Sequence, residues 1–259
     1  MCTENNDKKY KEEWFNEEYF WQKYAPIMFD HKRWTEVPRV VNGIERFACL
    51  DRNARILDLC CGFGRITLEF ARRGFSVSGV DITKPFLQSA KEDAEHERLS
   101  IEFICEDIRT FKRPNYFDII TNLYISFGYF ENPEDDKLAL RNVFDSLKSG
   151  GKFIIETLGK EVAVRNFVER EWFPKAGFTM LTEYTALNSW ELLKNRWILL
   201  KDGEKTERVF TQRLYSAVEL QNILFDIGFS EVECYGDWDG SLYDHEAKML
   251  IAVARKPRE

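Results

Sequence analysis

The chain has 259 residues, 44% hydrophobic and 31% charged, enough apolar material for a packed core and too much for a disordered chain. That length suits one core domain with an elaboration, and no apolar run approaches the roughly 20 residues that span a bilayer. With 37 basic against 44 acidic residues the net charge is −7, which opposes long contacts with a phosphate backbone, so a nucleic-acid partner is not expected.

The stretch from Met1 to Lys9 is polar and predicts neither a signal peptide nor a membrane anchor. Six cysteines (Cys2, Cys49, Cys60, Cys61, Cys105, Cys234) form no C-x-x-C pair and no zinc spacing. No metal site is expected, and a reduced cytoplasmic protein is the simplest reading. Residues 10 to 34 then carry nine aromatics: Tyr10, Trp14, Phe15, Tyr19, Phe20, Trp21, Tyr24, Phe29 and Trp34. That density predicts a helical arm, residues 1–50, packed across the fold.

From Arg55 short apolar runs alternate with amphipathic segments. Strands are predicted at 55–60, 76–80, 101–105, 117–123 and 152–156, with helices at 65–73, 84–95 and from Pro133 toward Ser149. Thr83 and Asn132 are positioned as helix caps, each followed by proline in the first turn. Strands separated by such helices predict a parallel sheet covered on both faces. Between 158 and 215 the period becomes strand-like, at 178–186, 190–200 and 207–215, with Lys201-Asp202-Gly203-Glu204 as the last hairpin turn. Ser216 to Glu219 is a capping-box pattern opening a helix toward Gly228. Strands at 231–235 and 247–254 close the core, which spans 51–157 and 216–259.

The stretch Ile56-Leu-Asp58-Leu-Cys60-Cys61-Gly62-Phe63-Gly64 leaves a strand and enters a helix. Glycines there permit a tight turn and close approach of a ligand. Position 67, where a dinucleotide fingerprint wants a third small residue, is Thr67, and Asp58 would repel a diphosphate but attract an ammonium. Asp81 ends the second strand, seventeen residues after Gly64, where a carboxylate can accept from both hydroxyls of a ribose. Asp107 follows the third strand, where an adenine amino group could donate. The three acids sit at carboxyl ends of adjacent strands and match a ligand with an amine, a ribose and an adenine.

On these residues, together with Gly79-Val-Asp81, Glu106-Asp107-Ile108, Phe117-Asp118 to Tyr129 and Leu147 to Ile155, the sequence resembles the class I S-adenosylmethionine-dependent methyltransferases. The resemblance implies an α/β Rossmann-like sheet of seven strands, the last antiparallel, with helices on both faces. It also implies S-adenosylmethionine as cofactor and S-adenosylhomocysteine as product. Cofactor contacts are then expected from Asp58, Cys60, Gly62, Phe63, Gly64, Asp81, Ile82, Asp107, Ile108, Asn122 and Leu123. Cys60 departs from the glycine many members have there. More narrowly, Ile125 to Tyr129 and the strand-rich insertion are similar to small-molecule N-methyltransferases of the amino-sugar and glycine types, which implies an aromatic arm closing over the cofactor and an insertion over the substrate.

Tyr19, Tyr24 and Arg33 are candidate partners for the methionine carboxylate. Tyr129 is a candidate for the acceptor site, and His31 or His245 for a general base. Trp172, Trp190 and Trp197 are candidate substrate walls or insertion core. The expected activity is methyl transfer to a nitrogen or oxygen of a small molecule by a monomer or homodimer. The alternatives are a macromolecular (protein or RNA) acceptor, a non-catalytic protein binding the same cofactor, and a nicotinamide-dependent dehydrogenase.

Overall fold

A computed structural model describes residues 13–258; the expectations that fall on Met1 to Lys9, Cys2 and Tyr10 lie outside the described residues. Five strands, β1 (Arg55–Leu59), β2 (Ser76–Asp81), β3 (Glu102–Cys105), β4 (Phe117–Asn122) and β5 (Leu147–Thr157), run parallel. Beyond the insertion, two more strands, Glu231–Tyr235 and Leu250–Arg255, join the β5 edge, the second antiparallel to β5 and the first antiparallel to the second. The resulting sheet runs β3-β2-β1-β4-β5 and then the last strand and the one before it.

Side chains alternate across the strands, so both faces are apolar. On one face Ile56, Val77, Ile119 and Ile154 meet Val40, Val41 and Ile44 of the helix Val37–Ala48, and Ile66 and Phe70 of the helix Arg65–Arg72. On the other, Leu57, Ile120, Phe153 and Ile155 meet Leu140 and Val143 of the helix Pro133–Ser146, and Leu220 and Leu224 of the helix Ala217–Ile227. The third helix of the amino-terminal region is therefore a layer of this core, while the helix Glu18–Met28 packs on the insertion.

Caps fix two helix starts as expected: Asn132 accepts from the Glu134 amide, and Ser216 and Glu219 form a reciprocal capping box. Thr83 caps differently. Its side chain makes no cap hydrogen bond, because the hydroxyl and the amide both turn to the Asp81 carboxylate, a stronger acceptor.

The insertion is a four-stranded antiparallel sheet of β6 (Arg170–Lys175), β7 (Phe178–Leu187), β8 (Leu192–Lys201) and β9 (Glu204–Arg213), in that order. Asp202 and Gly203 turn with φ of 51° and 81°, the pair of positive values that a two-residue hairpin turn of this kind requires. The sequence reading has no counterpart of β6. It is an edge strand carrying Pro174 and four charged or exposed positions, a pattern that edges tolerate and periodicity misses.

Candidate active site

On the core side the site is built at strand ends. After Leu59 the chain passes through Cys60 (φ 57°), Gly62 (φ 56°) and Gly64 (φ 70°). The left-handed backbone at Cys60 explains why glycine suits that place. The cysteine there is half-buried, with Asn122 Nδ2 3.5 Å from its sulfur. Burial, together with Asp81, Asp107 and Asp58 nearby, pushes the Cys60 thiol up, which keeps it a neutral wall. A Cβ at Gly62 would lie 3.0 Å from the Phe29 ring, so the arm closes directly on this turn.

Asp58 is buried, accepting from Thr67 Oγ1 at 2.7 Å and Thr121 Oγ1 at 3.1 Å. Burial pushes its carboxyl up to about 6 against those two bonds. Thr67 thus stands where a dinucleotide site wants room because it supports Asp58. Asp81 accepts the Gly62 and Thr83 amides, each at 2.8 Å. It thereby shapes the turn, and it lines a cavity. Asp107 receives the Arg109 amide at 2.8 Å and its guanidinium at 2.6 Å. The Arg109 side chain is wholly buried and also binds Glu13 of the arm at 2.6 Å.

Two cavities meet above these strand ends. The smaller, about 110 Å³, is lined by Asp81, Ile82, Asp107 and Ile108 below and by Phe15, Phe86 and Phe130 around them. The larger, about 600 Å³, is lined by Asp58, Arg33, Arg65, Leu123 and Tyr124 and, opposite them, by the inner face of the insertion sheet. Trp21, Phe29, Cys60, Ser126 and Tyr129 line both. Tyr129 stands at this junction as a neutral phenol, raised far above its ordinary range by burial.

Several expected contacts are placed elsewhere. Tyr24 lines neither cavity: its hydroxyl donates to the Trp197 carbonyl at 2.9 Å, joining arm to insertion. Tyr19 is 62% exposed. His31 begins a short helix (His31–Thr35) with its side chain in solvent, and His245 is exposed in the loop before the last strand, its carbonyl accepting from Arg165. Neither histidine lines either of these two cavities. Phe63 packs on Phe86 and Phe29, with ring centroids 4.2 and 4.8 Å away, and Gly64 backs onto Ala90 and Phe103. Asn122 is buried behind Cys60, away from both cavities, whereas Leu123 lines the larger. Of the three insertion tryptophans, Trp197 is a cavity wall, Trp190 packs against Phe167, and Trp172 is 72% exposed.

The reading missed Arg65. It is buried, stacked 4.3 Å over the Tyr124 ring, and donates to the Arg33 carbonyl at 2.7 Å. No carboxylate among the described residues lies within ion-pair distance of it, whereas neighbouring Arg33 binds Glu36 at 2.9 Å. The signal was present in the sequence. A cation in the first turn of a helix opposes the helix dipole, so something else must hold it there.

Residues 56–151 match a family described as a methyltransferase domain. A 110-residue stretch is 31% identical to a ubiquinone biosynthesis O-methyltransferase of Coxiella burnetii, covering 42% of this chain and 45% of that one; the chain thus spans under half the length of the first curated relatives it matches. The fold is similar to that of an S-adenosylmethionine-dependent methyltransferase from Clostridium acetobutylicum, with a TM-score of 0.73 and 17% identity over 98% of this chain and 100% of that one. It is also similar to an S-adenosylmethionine-bound amino pentose methyltransferase from Micromonospora echinaspora involved in calicheamicin biosynthesis, with a TM-score of 0.66 and 18% identity over 91% and 96% of the two chains. Matched core, strand order and strand-end acids together identify residues 56–151 as a methyltransferase domain, on a chain with the fold of the class I S-adenosylmethionine-dependent methyltransferases.

Proposed function

We propose that this protein transfers the methyl group of S-adenosylmethionine to a small molecule held between the core and the insertion, and that the methylated atom is a nitrogen. The observation that carries the reading is the meeting of the two cavities at Cys60, Ser126 and Tyr129. The smaller suits the adenine ring: Ile82, Ile108 and the phenylalanines flank a flat ring, Asp107 can take its exocyclic amine, and Asp81 the hydroxyls of a ribose leaving it. Arg65, a buried cation, suits the methionine carboxylate, with Asp58 on the same wall for the ammonium. The sulfonium then falls at the junction, facing the larger cavity.

When bound, the cofactor supplies a methyl group already activated by positive charge. The protein has to align donor and acceptor and exclude water, and positioning of this kind supplies roughly 7–11 kcal/mol. Arg65 and Asp81 fix the two ends of the donor, while Trp21, Phe29 and Tyr129 close over its middle. A cleft of about 600 Å³, shared with the methionine end of the donor, fits a small acceptor. The names of the two relatives place them on an amino pentose and in ubiquinone biosynthesis, which supports a small acceptor here too.

A hydroxyl acceptor would need a general base. Among the described residues no histidine lines the larger cavity, Asp58 is engaged by two hydroxyls, and Glu171 stands on the edge strand β6, the strand of the insertion sheet farthest from β9. An amine that arrives neutral needs none, which favours nitrogen. A cytoplasmic setting belongs to the same proposal, supported by the free, exposed thiols of Cys49 and Cys105.

Calorimetric titration with S-adenosylmethionine, S-adenosylhomocysteine and NAD tests the cofactor. The two sulfur ligands should bind and NAD should not. Asp81→Ala should weaken binding about 100-fold or more, since charge-assisted bonds of ~1.5–3 kcal/mol each are lost. Binding of NAD alone would overturn the reading.

A further inference from the structure

The inner face of the insertion sheet forms the acceptor half of the larger cavity in the reading above, on which this inference rests. Its donor groups are engaged within the protein. Thr182 of β7 and Trp197 of β8, opposite each other in register, both hydrogen-bond the Tyr184 phenol. Asn195 donates to the Leu193 carbonyl at 2.9 Å, and Gln212 to the Phe127 carbonyl at 3.2 Å. Across the cavity, Trp21 Nε1 of the arm donates to the Phe15 carbonyl at 2.6 Å. A ligand rich in hydroxyl or carbonyl oxygens would shed its hydration here and find few bonds in exchange, which costs affinity.

The charges follow the same rule, with one exception. Arg33 pairs with Glu36 at 2.9 Å, and Lys175 with Asp30 at 3.2 Å. Arg65 and Asp58 stand at the methionine end, where a carboxylate and an ammonium would answer them. Glu171, on the inner face of β6 opposite Thr182, lines the cavity with no ion pair among the described residues. Its charge is felt inside, where it helps to raise the Tyr184 phenol. The rest of the acceptor side is largely apolar. Phe173, Met180 and Phe210 stand on three strands of the sheet, Met28 of the arm belongs to the same cluster, and Phe173 lies two residues from Glu171 on one face. Phe167 and Val168 also line the cavity and are 37% and 50% exposed, apolar surface that a ligand can cover.

We propose that the acceptor is an amine carried on an apolar ring, aromatic or alicyclic, and that Glu171 turns away molecules bearing a carboxylate or phosphate. The ring gains by leaving water for Phe173, Met180 and Phe210, a gain that a polyhydroxylated body does not share. An amine passes Glu171 in either protonation state, whereas an anion meets a like charge with no free cation on the wall, among the described residues, to offset it.

The test uses the full chain loaded with S-adenosylhomocysteine and saturation-transfer NMR with three probes: benzylamine, glucosamine and phenylacetate. Glucosamine keeps the amine and lacks the apolar ring; phenylacetate keeps the ring and reverses the charge. Benzylamine should give a signal about fivefold or more above either of the others. Phe173→Asn should cut the benzylamine signal about threefold or more, and Phe173→Leu should restore it, with melting temperatures confirming that the variants fold. Glu171→Gln, at an exposed position that folding does not depend on, should raise the phenylacetate signal about threefold and keeps the test decisive if Phe173→Asn fails to fold. Glucosamine matching benzylamine would overturn the apolar ring while leaving the small-amine reading in place. No benzylamine signal, phenylacetate as strong as benzylamine in the wild type, indifference of a folded Phe173→Asn, or no gain in Glu171→Gln would each overturn the inference as well. Binding of S-adenosylhomocysteine, measured on the same samples, reports separately on the cofactor reading. If the wild type fails to bind it, that reading falls, and the acceptor class falls with it.

Discussion

The two ends of the site are built by different means. At the adenosine end, polar groups come from the ends of parallel strands and are fixed by backbone amides, as Asp81 is by Gly62 and Thr83. At the acceptor end they come from the face of an antiparallel sheet, where Thr182 and Tyr184 of β7 stand beside Trp197 of β8. The first arrangement fixes a geometry shared by every turnover, because moving Asp81 would move the turn itself. The second can change side chain by side chain while the backbone stays paired.

The largest effect that would sharpen this contrast is expected at Arg65. Arg65→Met should weaken S-adenosylhomocysteine about 10- to 100-fold, from a charge-assisted bond of ~1.5–3 kcal/mol, yet leave 5′-methylthioadenosine, which lacks the carboxylate, unchanged in calorimetry. Equal losses for both ligands would place Arg65 in the structure of the cavity and not in recognition of the methionine end.

Next comes the arm. Glu13 pairs with Arg109 at 2.6 Å, and Arg109 in turn holds Asp107. Glu13→Gln should speed release of S-adenosylhomocysteine about tenfold, or ~1.4 kcal/mol, in stopped-flow experiments following Trp14 and Trp21 fluorescence. An unchanged rate would mean that the arm closes without this pair.

A smaller, pH-dependent effect is expected where the insertion rejoins the core. Asp136 is buried, accepts from Tyr215 at 2.7 Å, and is pushed up to about 7 by burial. Because the folded value lies above the ordinary 3.8, its contribution to stability is complete below about pH 4 and is lost as pH rises through 7. A carboxamide in its place would still accept from Tyr215 but cannot ionise. Asp136→Asn should therefore raise the melting temperature by a few degrees at pH 8 and change it little at pH 4. The smallest effect belongs to Trp172, 72% exposed on the outer face of β6: Trp172→Ser should shift stability by under about 0.5 kcal/mol in urea titration.

What the sequence made legible follows the same division. The turn from Asp58 to Gly64, Asp81 and Asp107 could be located because each depends on a local pattern, an acid at or just past the carboxyl end of a strand, before a turn. Tyr24, His31 and His245 could not, since their surroundings are set by distant segments: Tyr24 finds its partner at Trp197, 173 positions along the chain. The same holds for Trp197 and Trp172, alike in composition and separated only by the pleat and strand order that turn one inward and the other to water. Arg65 was legible in principle, as a charge on the wrong end of a helix. β6 was hidden by its proline and its charges.

Gly159 and Tyr215 form a parallel bridge, and the Lys160 amide donates to the Tyr215 carbonyl at 2.9 Å. The excursion of 160–214 therefore departs and returns through one doorway about 4.8 Å wide. Whatever happens to its length between those posts, the core is asked to span the same gap. Such a plan lets a lineage lengthen, trim or exchange the whole substrate wall while the cofactor half keeps every strand register it had.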